Sequence, residues 1–544
     1  MRLTKYILLS TLLFVSARGE AQSAADMTGW RIDLKTIGEQ LPARHPNAYY
    51  RMTRASWDSA VASIDKRLPS MTKNQATVAL MQLVAMVNDG HTSINPMFDR
   101  ALGAHYYPVE LYSFEDGLFV KSASSEYASA VGGKVVKFGK VSATDAISAA
   151  GTTFGHENDW WVNAWAASRI TLAEVADGLG LVADVNNVPL VVERDGKQET
   201  VILHPTGKIE PSGHNPMAGV NRTGWIDMGT VGAVPLWLQH QDQLYWSDFV
   251  PSDGTLYVSY RANTTVDNFP NQEFWKSVFA KADSLPVRRL VIDIRDNVGG
   301  ESAYNKQVIR GIIARPQLDR PDRLFVITSG KTFSAAMNLA EDLEQWTNAT
   351  FVGQPTGNSL VFFGDHRQIT LPVSGFTVNI SSLPWYPANP TDKRAFIAPR
   401  LYTALSSVDY RSNVDPAMRA IISRGTQPRL VDRVEQAISR GDSASALKLL
   451  SDAALDPINR FRSPEADINA LGYRLMPTNR MAALAVFRLN TQAFPRSANT
   501  WDSYGENLLI DRQKDAGIAA YRKALDISPG LVSATEALQR LRLY

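Results

Sequence analysis

The first ninety residues place their apolar side chains at helical spacing. In the runs 32–41 and 78–87, apolar residues recur every three or four positions, which is typical of amphipathic helices. The second run stops just before His91, and Gly90 suits the left-handed conformation that often ends a helix. We therefore predict a helical domain over residues 22–104, with a histidine-bearing loop near its end.

The pattern changes to short strands after residue 104. Apolar and polar residues alternate there, and the dipeptide Asp195-Gly196 indicates a hairpin turn. A tryptophan-rich run around residues 160–165 has helical character and interrupts the strands. We predict a β module over residues 105–210, then a linker over 211–250 that is rich in Gly, Pro and Asn. The predicted strands are 107–112, 118–120, 134–138, 190–193 and 199–203.

Residues 251–426 alternate between apolar strands and amphipathic helices. This order predicts right-handed crossovers and a parallel sheet. In such a sheet ligands bind beyond the carboxyl ends of the strands, so we expect the loops 295–300 and 329–334 to meet there. The predicted elements are strands 289–294, 324–328 and 350–353 and helices 301–314 and 334–346.

The last part of the chain, residues 427–544, has helical spacing and contains a repeat. Ala483 and Phe487 recur 34 residues later as Gly517 and Tyr521. A period of 34 with small and aromatic residues at fixed places is typical of tetratricopeptide repeats. Such an array either binds a peptide or protein partner or caps the domain beside it, and the sequence leaves both open.

The chain begins with the features of an export signal. Arg2 and Lys5 precede an apolar run over 6–17, and the small residues Gly19 and Ala21 follow. This order predicts a signal peptide that is cleaved after about residue 21. The run is shorter than the roughly 20 apolar residues that span a bilayer, and an uncleaved anchor is the alternative. We expect a periplasmic or secreted protein without a membrane span after cleavage.

Composition removes several classes of function. The chain of 544 residues is long enough for several domains. The positive charges of 56 Lys and Arg residues nearly cancel the negative charges of 54 Asp and Glu residues, so no strong electrostatic field favours the binding of nucleic acid. The absence of cysteine excludes disulfides, thiolate metal sites and a Cys nucleophile. The eight histidines are scattered singly, so we expect neither a metal nor another cofactor.

Ser334 is the candidate nucleophile. It follows an apolar strand and opens an amphipathic helix, so its hydroxyl lies at the positive end of that helix. The N–H of Ala335 belongs to the first turn and lacks an intrahelical partner, so it can donate to an oxyanion. Gly299 and Gly300, in the neighbouring loop, can supply the second donor. The alternatives are an ordinary N-cap serine and a simple strand-to-helix turn.

Several short motifs, in order, resemble one family. Val291–Gly300 resembles the D-L-R-x-N-x-G-G loop of the C-terminal-processing and tricorn-core serine peptidases. The remaining motifs are similar to the family's nucleophile turn at 334–336, its V-G-x-x-T-G at 352–357, its D-G-H-T at 88–92 and its PDZ strand at 133–138. The resemblance implies an α/β fold with a helical N-terminal part, a degenerate PDZ-like β module and a crotonase- or Clp-protease-like β/α core.

The resemblance also implies roles for individual residues. Members with a Ser-Lys dyad carry Lys where Asn358 and Ser359 stand here, so the histidine-containing, tricorn-like branch fits better. His91 is then the general base. The segment that begins at Thr391 resembles the family's E-G-x-G-x-x-P-D, with Asp392 as the acid that orients the imidazole.

We therefore predict an exported serine endopeptidase that cleaves protein or peptide substrates through an acyl-enzyme, with a further protein partner possible at the helical repeats. The first alternative is a catalytically inactive relative that binds peptides or apolar ligands. The second is a penicillin-recognising or esterase-type hydrolase, because Ser70 and Lys73 fit the S-x-x-K spacing.

Overall fold

The structure of the protein is a computed structural model. It describes residues 24–208, 224–229, 232–386, 389, 391–424 and 428–542. The predicted signal peptide, residues 1–21, lies outside the described residues.

Three α-helices lie between residues 24 and 85, where the sequence pattern predicted helical structure. Capping boxes at Thr53 and Thr72 begin the second and third helices, since each hydroxyl accepts a first-turn N–H. Trp57 and Leu80 are buried in their common core. The helices are α1 (Ala24–Arg44), α2 (Arg54–Arg67) and α3 (Lys73–Ala85).

The end of α3 differs from the prediction at Gly90. Asn88, and not Gly90, takes the left-handed conformation, with φ of 56°. Asparagine tolerates this region better than other residues with a side chain. Gly90 is needed for space instead, because a Cβ there would stand 2.6 Å from Cζ of Phe333.

The β module is built on an antiparallel sheet in the order β2-β3-β4-β6-β7. Asp195 and Gly196 both have positive φ, as the predicted hairpin turn requires. The elements are β1 (His105–Tyr106), β2 (Val109–Phe114), β3 (Gly117–Ser124), β4 (Lys134–Phe138), β5 (Val141–Ser142), α4 (Ala143–Gly151), α5 (Asp159–Ile170), α6 (Ala173–Gly178), β6 (Val188–Arg194), β7 (Lys197–Leu203), β8 (Thr206–Lys208) and β9 (Trp225–Asp227).

Part of the predicted linker is regular structure. Strand β9 pairs with β3, and β10 (Tyr245–Val250) is the first strand of the next sheet. These residues alternate too briefly to stand out from the Gly- and Pro-rich sequence around them. The PDZ-like character of the module stays a prediction.

The core sheet has the order β10-β11-β12-β13-β14-β19, parallel from β11 onward. Every residue of β11 to β14 is buried, because helices cover both faces. The elements of this part of the chain are β10, β11 (Thr255–Tyr260), α7 (Asn271–Ser284), β12 (Arg289–Asp293), α8 (Asn305–Ile313), β13 (Leu324–Thr328), α9 (Ala335–Trp346), β14 (Thr350–Gly353), β15 (Phe362–Gly364), β16 (Arg367–Thr370), β17 (Thr377–Ile380), β18 (Leu383–Trp385), β19 (Leu401–Tyr402), α10 (Ser407–Arg411) and α11 (Pro416–Arg424). Outside the core sheet, β15 pairs with β18 and β16 pairs with β17.

The tail is a series of helices that pack as neighbours. Helices α15 and α17 begin 34 residues apart, and the tetratricopeptide interpretation stays a prediction. Phe461 packs against Trp160 and Tyr402, so the tail contacts the other domains. The helices are α12 (Leu430–Ser439), α13 (Ser443–Leu455), α14 (Glu465–Leu475), α15 (Arg480–Ala493), α16 (Ala498–Ile510), α17 (Lys514–Ile527) and α18 (Val532–Arg542).

Within the described ranges, none of the helices combines the length and the apolar character needed to cross a membrane.

Candidate active site

Ser334 lies in the turn between β13 and α9, at the carboxyl edge of the parallel sheet. Its backbone has φ of 54° and ψ of −127°, a region that residues with a side chain rarely adopt. Its hydroxyl makes no capping hydrogen bond to α9. The hydroxyl is therefore not used as an ordinary helix cap.

Gly299, in the neighbouring loop, lies against this turn, whereas Gly300 lies against the backbone of Asn263. A Cβ at Gly299 would be 2.5 Å from Cβ of Ser334 and 2.9 Å from the nitrogen of Ala335. The N–H of Gly299 donates to Oδ1 of Asn297 at 2.8 Å, so it is already used. The N–H groups of Ala335 and Gly300 have no acceptor among the described residues. Of the three amides that the sequence predicted as oxyanion donors, these two are unbonded.

His91 follows α3 and is held between two phenylalanine rings. Its imidazole stacks on Phe333, with ring centroids 4.5 Å apart, and lies 5.7 Å from Phe362. Neither ring nitrogen makes a hydrogen bond of normal geometry within the described part of the chain, although the backbone of Phe363 lies near enough to act to raise the pKa of the imidazole. Burial lowers the pKa of His91 below its ordinary value, although the Asp89 carboxylate acts to raise it. A lowered pKa keeps the imidazole neutral, as a general base requires.

Asp89 is the carboxylate closest to His91 in the described structure, with Oδ1 3.9 Å from Nδ1. Its Oδ2 accepts hydrogen bonds from His45 at 3.1 Å and from the hydroxyls of Thr92 and Ser381, each at 2.6 Å. Burial acts to raise the pKa of Asp89, but these hydrogen bonds, and the charge of His91 where its imidazole is protonated, hold it below its ordinary value. Asp89 is therefore an ionised, fixed group beside the imidazole.

A second buried carboxyl, Glu157, connects the two loops. It accepts the N–H of Gly90 at 3.1 Å and the Nδ2 group of Asn358 at 3.0 Å. Asn358 in turn accepts the N–H of Ser334 at 2.6 Å. Burial raises the pKa of Glu157 to about 8, and the nearby Asp89 raises it in the same direction.

The structure does not bring Asp392 to His91. Asp392 is partly exposed and pairs with the guanidinium of Arg394, with Oδ2 2.8 Å from Nη2. The hydrogen bond from Arg394 holds the pKa of Asp392 below its ordinary value. This local ion pair competes with any contact between the Asp392 carboxylate and the imidazole of His91. Sequence reasoning did not single out Asp89, although it belongs to the D-G-H-T motif that selected His91.

Two other features lie apart from Ser334 and His91. A cavity of about 380 Å³ lies beside the loop that leads to Ser334, and its wall includes Trp160, Trp165 and Lys331. Neither Ser334 nor His91 lines this cavity. Ser70 is exposed in a 3-10 turn, and Lys73 begins the next helix, so the S-x-x-K pair does not share one helix. Among the described residues, no cluster of three or more His, Asp or Glu side chains could hold a metal ion.

Comparison with solved structures identifies the architecture. The structure of mature CPAF complexed with lactacystin superposes with a TM-score of 0.53 at 13% identity, over 74% of this chain and 98% of the other. The structure of mature CPAF alone gives 0.51 at 13% identity, over 74% and 97%. The chain has the fold of mature CPAF. The sequence is too distant from CPAF for this likeness to transfer an activity.

Other solved structures align more loosely. The photosystem II D1 C-terminal processing protease aligns with a TM-score of 0.34 at 14% identity, over 73% of this chain and 97% of the other, which is too low to argue from. The CPAF likeness confirms, at the level of the fold, the resemblance drawn from the sequence motifs. No protein-family model and no curated protein matches the sequence.

Proposed function

We propose that the protein is an exported serine endopeptidase that cleaves protein or peptide substrates through an acyl-enzyme. One observation carries this proposal: Ser334 is held in a strained conformation beside the unbonded N–H of Ala335. Strain of this kind costs on the order of 1–3 kcal/mol and is concentrated at functional sites. The His91 ring, packed on Phe333, supplies a neutral base next to that turn.

The proposed reaction has two steps. Oγ of Ser334 attacks the peptide carbonyl carbon while His91 takes the hydroxyl proton, and the N–H groups of Ala335 and Gly300 bind the oxyanion. His91 then gives the proton to the leaving amine as the C–N bond breaks. A water molecule, deprotonated by His91, hydrolyses the ester and restores Ser334.

We assign the supporting acid to Asp89 and not to Asp392. Asp89 is ionised, buried and 3.9 Å from Nδ1 of His91, whereas Asp392 is paired with Arg394. The gap to Asp89 is longer than a hydrogen bond, but catalytic hydrogen bonds often shorten only when substrate is bound. Nε2 is then the nitrogen that exchanges protons with Ser334.

A catalytically inactive, peptide-binding relative is the second candidate. It is favoured by the absence of a hydrogen bond between Ser334 and His91 in the described structure, where both imidazole nitrogens are shielded from solvent. The two candidates make opposite predictions for a reagent that reacts only with activated serine.

A fluorophosphonate probe distinguishes them. We expect the wild type to be labelled at Ser334, and Ser334→Ala to lose labelling and to lose peptide hydrolysis by several powers of ten. Ser70→Ala, which alters an exposed serine, serves as the matched control and should behave as the wild type. A folded wild type that is neither labelled nor active would leave the binding scaffold as the function.

Export rests on the N-terminal sequence. N-terminal sequencing of protein recovered from the periplasm or the medium should find the chain beginning at about residue 22. Retention of the first residues on membrane-bound protein would favour the uncleaved anchor.

A further inference from the structure

Glu157 is a buried carboxyl outside the proposed catalytic set. It is 8% exposed and lies just before α5. Its Oε1 accepts the N–H of Gly90, which immediately precedes His91. The carboxyl therefore contacts the loop of the proposed base directly.

Asn358 extends this contact to the nucleophile. It is fully buried, its Nδ2 donates to Oε2 of Glu157 at 3.0 Å, and its Oδ1 accepts the N–H of Ser334 at 2.6 Å. A backbone N–H can only donate, so the oxygen of Asn358 must face Ser334 and its amide nitrogen must face Glu157. The direction of each hydrogen bond is thus fixed, and Glu157 must accept at both oxygens.

The conformation of Ser334 needs such support. Its positive φ is unfavourable for a residue with a side chain, and it persists only where surrounding contacts impose it. The peptide plane that follows Ser334 carries the N–H of Ala335, so ψ of Ser334 sets the direction of that donor. Relaxation of Ser334 would turn the Ala335 N–H away from the oxyanion.

We propose that Glu157 is a positioning residue: through Asn358 it holds the peptide that precedes Ser334, and so supports the conformation of Ser334, and through Gly90 it holds the loop of His91. Its relevance to catalysis rests on the proposed peptidase function. Glu157 itself touches neither the substrate nor the reacting atoms. One carboxyl thereby sets the relative placement of the nucleophile, an oxyanion donor and the base.

The direction of the hydrogen bonds gives a sharp test. Glu157→Gln places an amide against the amide of Asn358, and Asn358→Asp places a carboxylate against Glu157. The assays are run above pH 8, because Glu157 has a pKa of about 8 and its protonated form could donate to the carboxylate of Asn358→Asp. With Glu157 ionised, each single variant loses one hydrogen bond with almost no change of shape. The double variant E157Q/N358D reverses both partners, so every donor again faces an acceptor.

We expect each single variant to lower kcat about 10- to 100-fold with KM within about threefold, because positioning acts on the transition state. The double variant should recover to within about fivefold of the wild type. Asp159→Asn removes a charge from the same segment without touching the network, and it should be unchanged. A double variant no more active than the single variants would overturn the proposal, because a merely structural role predicts additive losses.

The backbone provides a readout that does not depend on activity. In a crystal structure of Glu157→Ala, we expect Ser334 to leave its positive φ and the Ala335 N–H to turn. An unchanged Ser334 backbone would overturn the positioning role even in an active enzyme. Failure of the proposed function would give a different result, because the wild type would not react with fluorophosphonate. Comparison of the Ser334 backbone in the wild type and in Glu157→Ala would still decide the role of Glu157.

Discussion

The backbone N–H of Ser334 donates to Oδ1 of Asn358 at 2.6 Å. In the peptidases that the motifs resemble, members with a Ser-Lys dyad carry their base in this region. An asparagine amide cannot take a proton at neutral pH, so here this side chain holds the backbone of the nucleophile instead. In the proposed mechanism another side chain must therefore act as the base.

Lys331 does not fill that role. Its Nζ lies 3.2 Å from Asp296. Burial acts to lower the pKa of Lys331, but the charge of Asp296 outweighs it and holds the pKa above its ordinary value. A base must be unprotonated at the working pH, which leaves His91 as the candidate with a suitable environment.

The choice between the two carboxylates can be tested by a pair of matched variants. Asp89→Asn should lower kcat by about 10²–10⁴, because it removes the negative charge that stabilises the imidazolium form of His91. Asp392→Asn changes a surface ion pair and should stay within about threefold of the wild type. Steady-state kinetics on one peptide substrate provides the comparison.

Thermal unfolding of both variants controls for loss of structure, since Asp89 also holds His45, Thr92 and Ser381. A larger kinetic loss for Asp392→Asn than for Asp89→Asn would restore the acid implied by the family motif.

The pH profile should report the buried position of His91. Activity requires the neutral imidazole, and burial lowers the pKa of His91 below its ordinary value of 6.5. The neutral form therefore persists to lower pH, and kcat/KM should rise with pH through a midpoint below 6.5. A rate profile with buffers from pH 4.5 to about 9 measures this midpoint.

The assignment depends on a comparison with Asp89→Asn, which should move the same midpoint still lower, because the Asp89 charge raises the pKa of His91. A wild-type midpoint near the value for lysine would point to an amine base instead.

Local sequence patterns predicted the elements that place Ser334. Strands Leu324–Thr328 and Thr350–Gly353 have the predicted bounds because each is a short apolar run within a parallel sheet that is covered on both faces. The turn after β13 then follows from topology, as does its proximity to Gly299. Such features are encoded within a few residues.

The supporting groups could not be predicted in the same way. Glu157 and Asn358 are 201 residues apart in sequence, and no spacing rule connects them. Asp392 is a different case: the motif pointed to it, but in the structure its carboxylate is paired with Arg394, two residues later. Burial and long-range pairing decide these roles, and both require the folded chain.

Crowding at Gly299 predicts a strong effect of a single methyl group. Gly299→Ala should lower kcat/KM by at least about 100-fold, because its Cβ would be 2.5 Å from Cβ of Ser334 and would displace the nucleophile. Gly180→Ala is the matched control: Gly180 also has a positive φ, of 70°, but no atom within 4 Å of the new Cβ. Both variants should lose stability by about 1 kcal/mol or more, and only Gly299→Ala should lose activity.

Equal activities for the two variants, measured on samples with similar unfolding transitions, would show that the turn at Ser334 tolerates displacement. The proposed role of its geometry would then be wrong.

The last prediction concerns the helical tail. Phe461 packs on Trp160 and Tyr402, and Arg400 forms an ion pair with Asp467. The hydrogen-bond, ion-pair and ring partners of Ser334 and His91 in the described structure all lie outside the tail. Deletion of residues 427–544 should therefore leave cleavage of a short, unstructured peptide within about tenfold. Cleavage of a folded protein substrate should fall much more if the tail supplies binding energy outside the site.

The two substrates have to be compared on one preparation, beside full-length Phe461→Ala. This variant loses the aromatic contact with the catalytic part while it keeps the helices, so it separates capping from partner binding. If the tail binds partners, Phe461→Ala should still cleave the protein substrate that the deletion variant no longer cleaves. If the tail is only a cap, the deletion should reduce cleavage of both substrates by the same factor. Phe461→Ala should then reproduce part of that loss, because it removes part of the same packing.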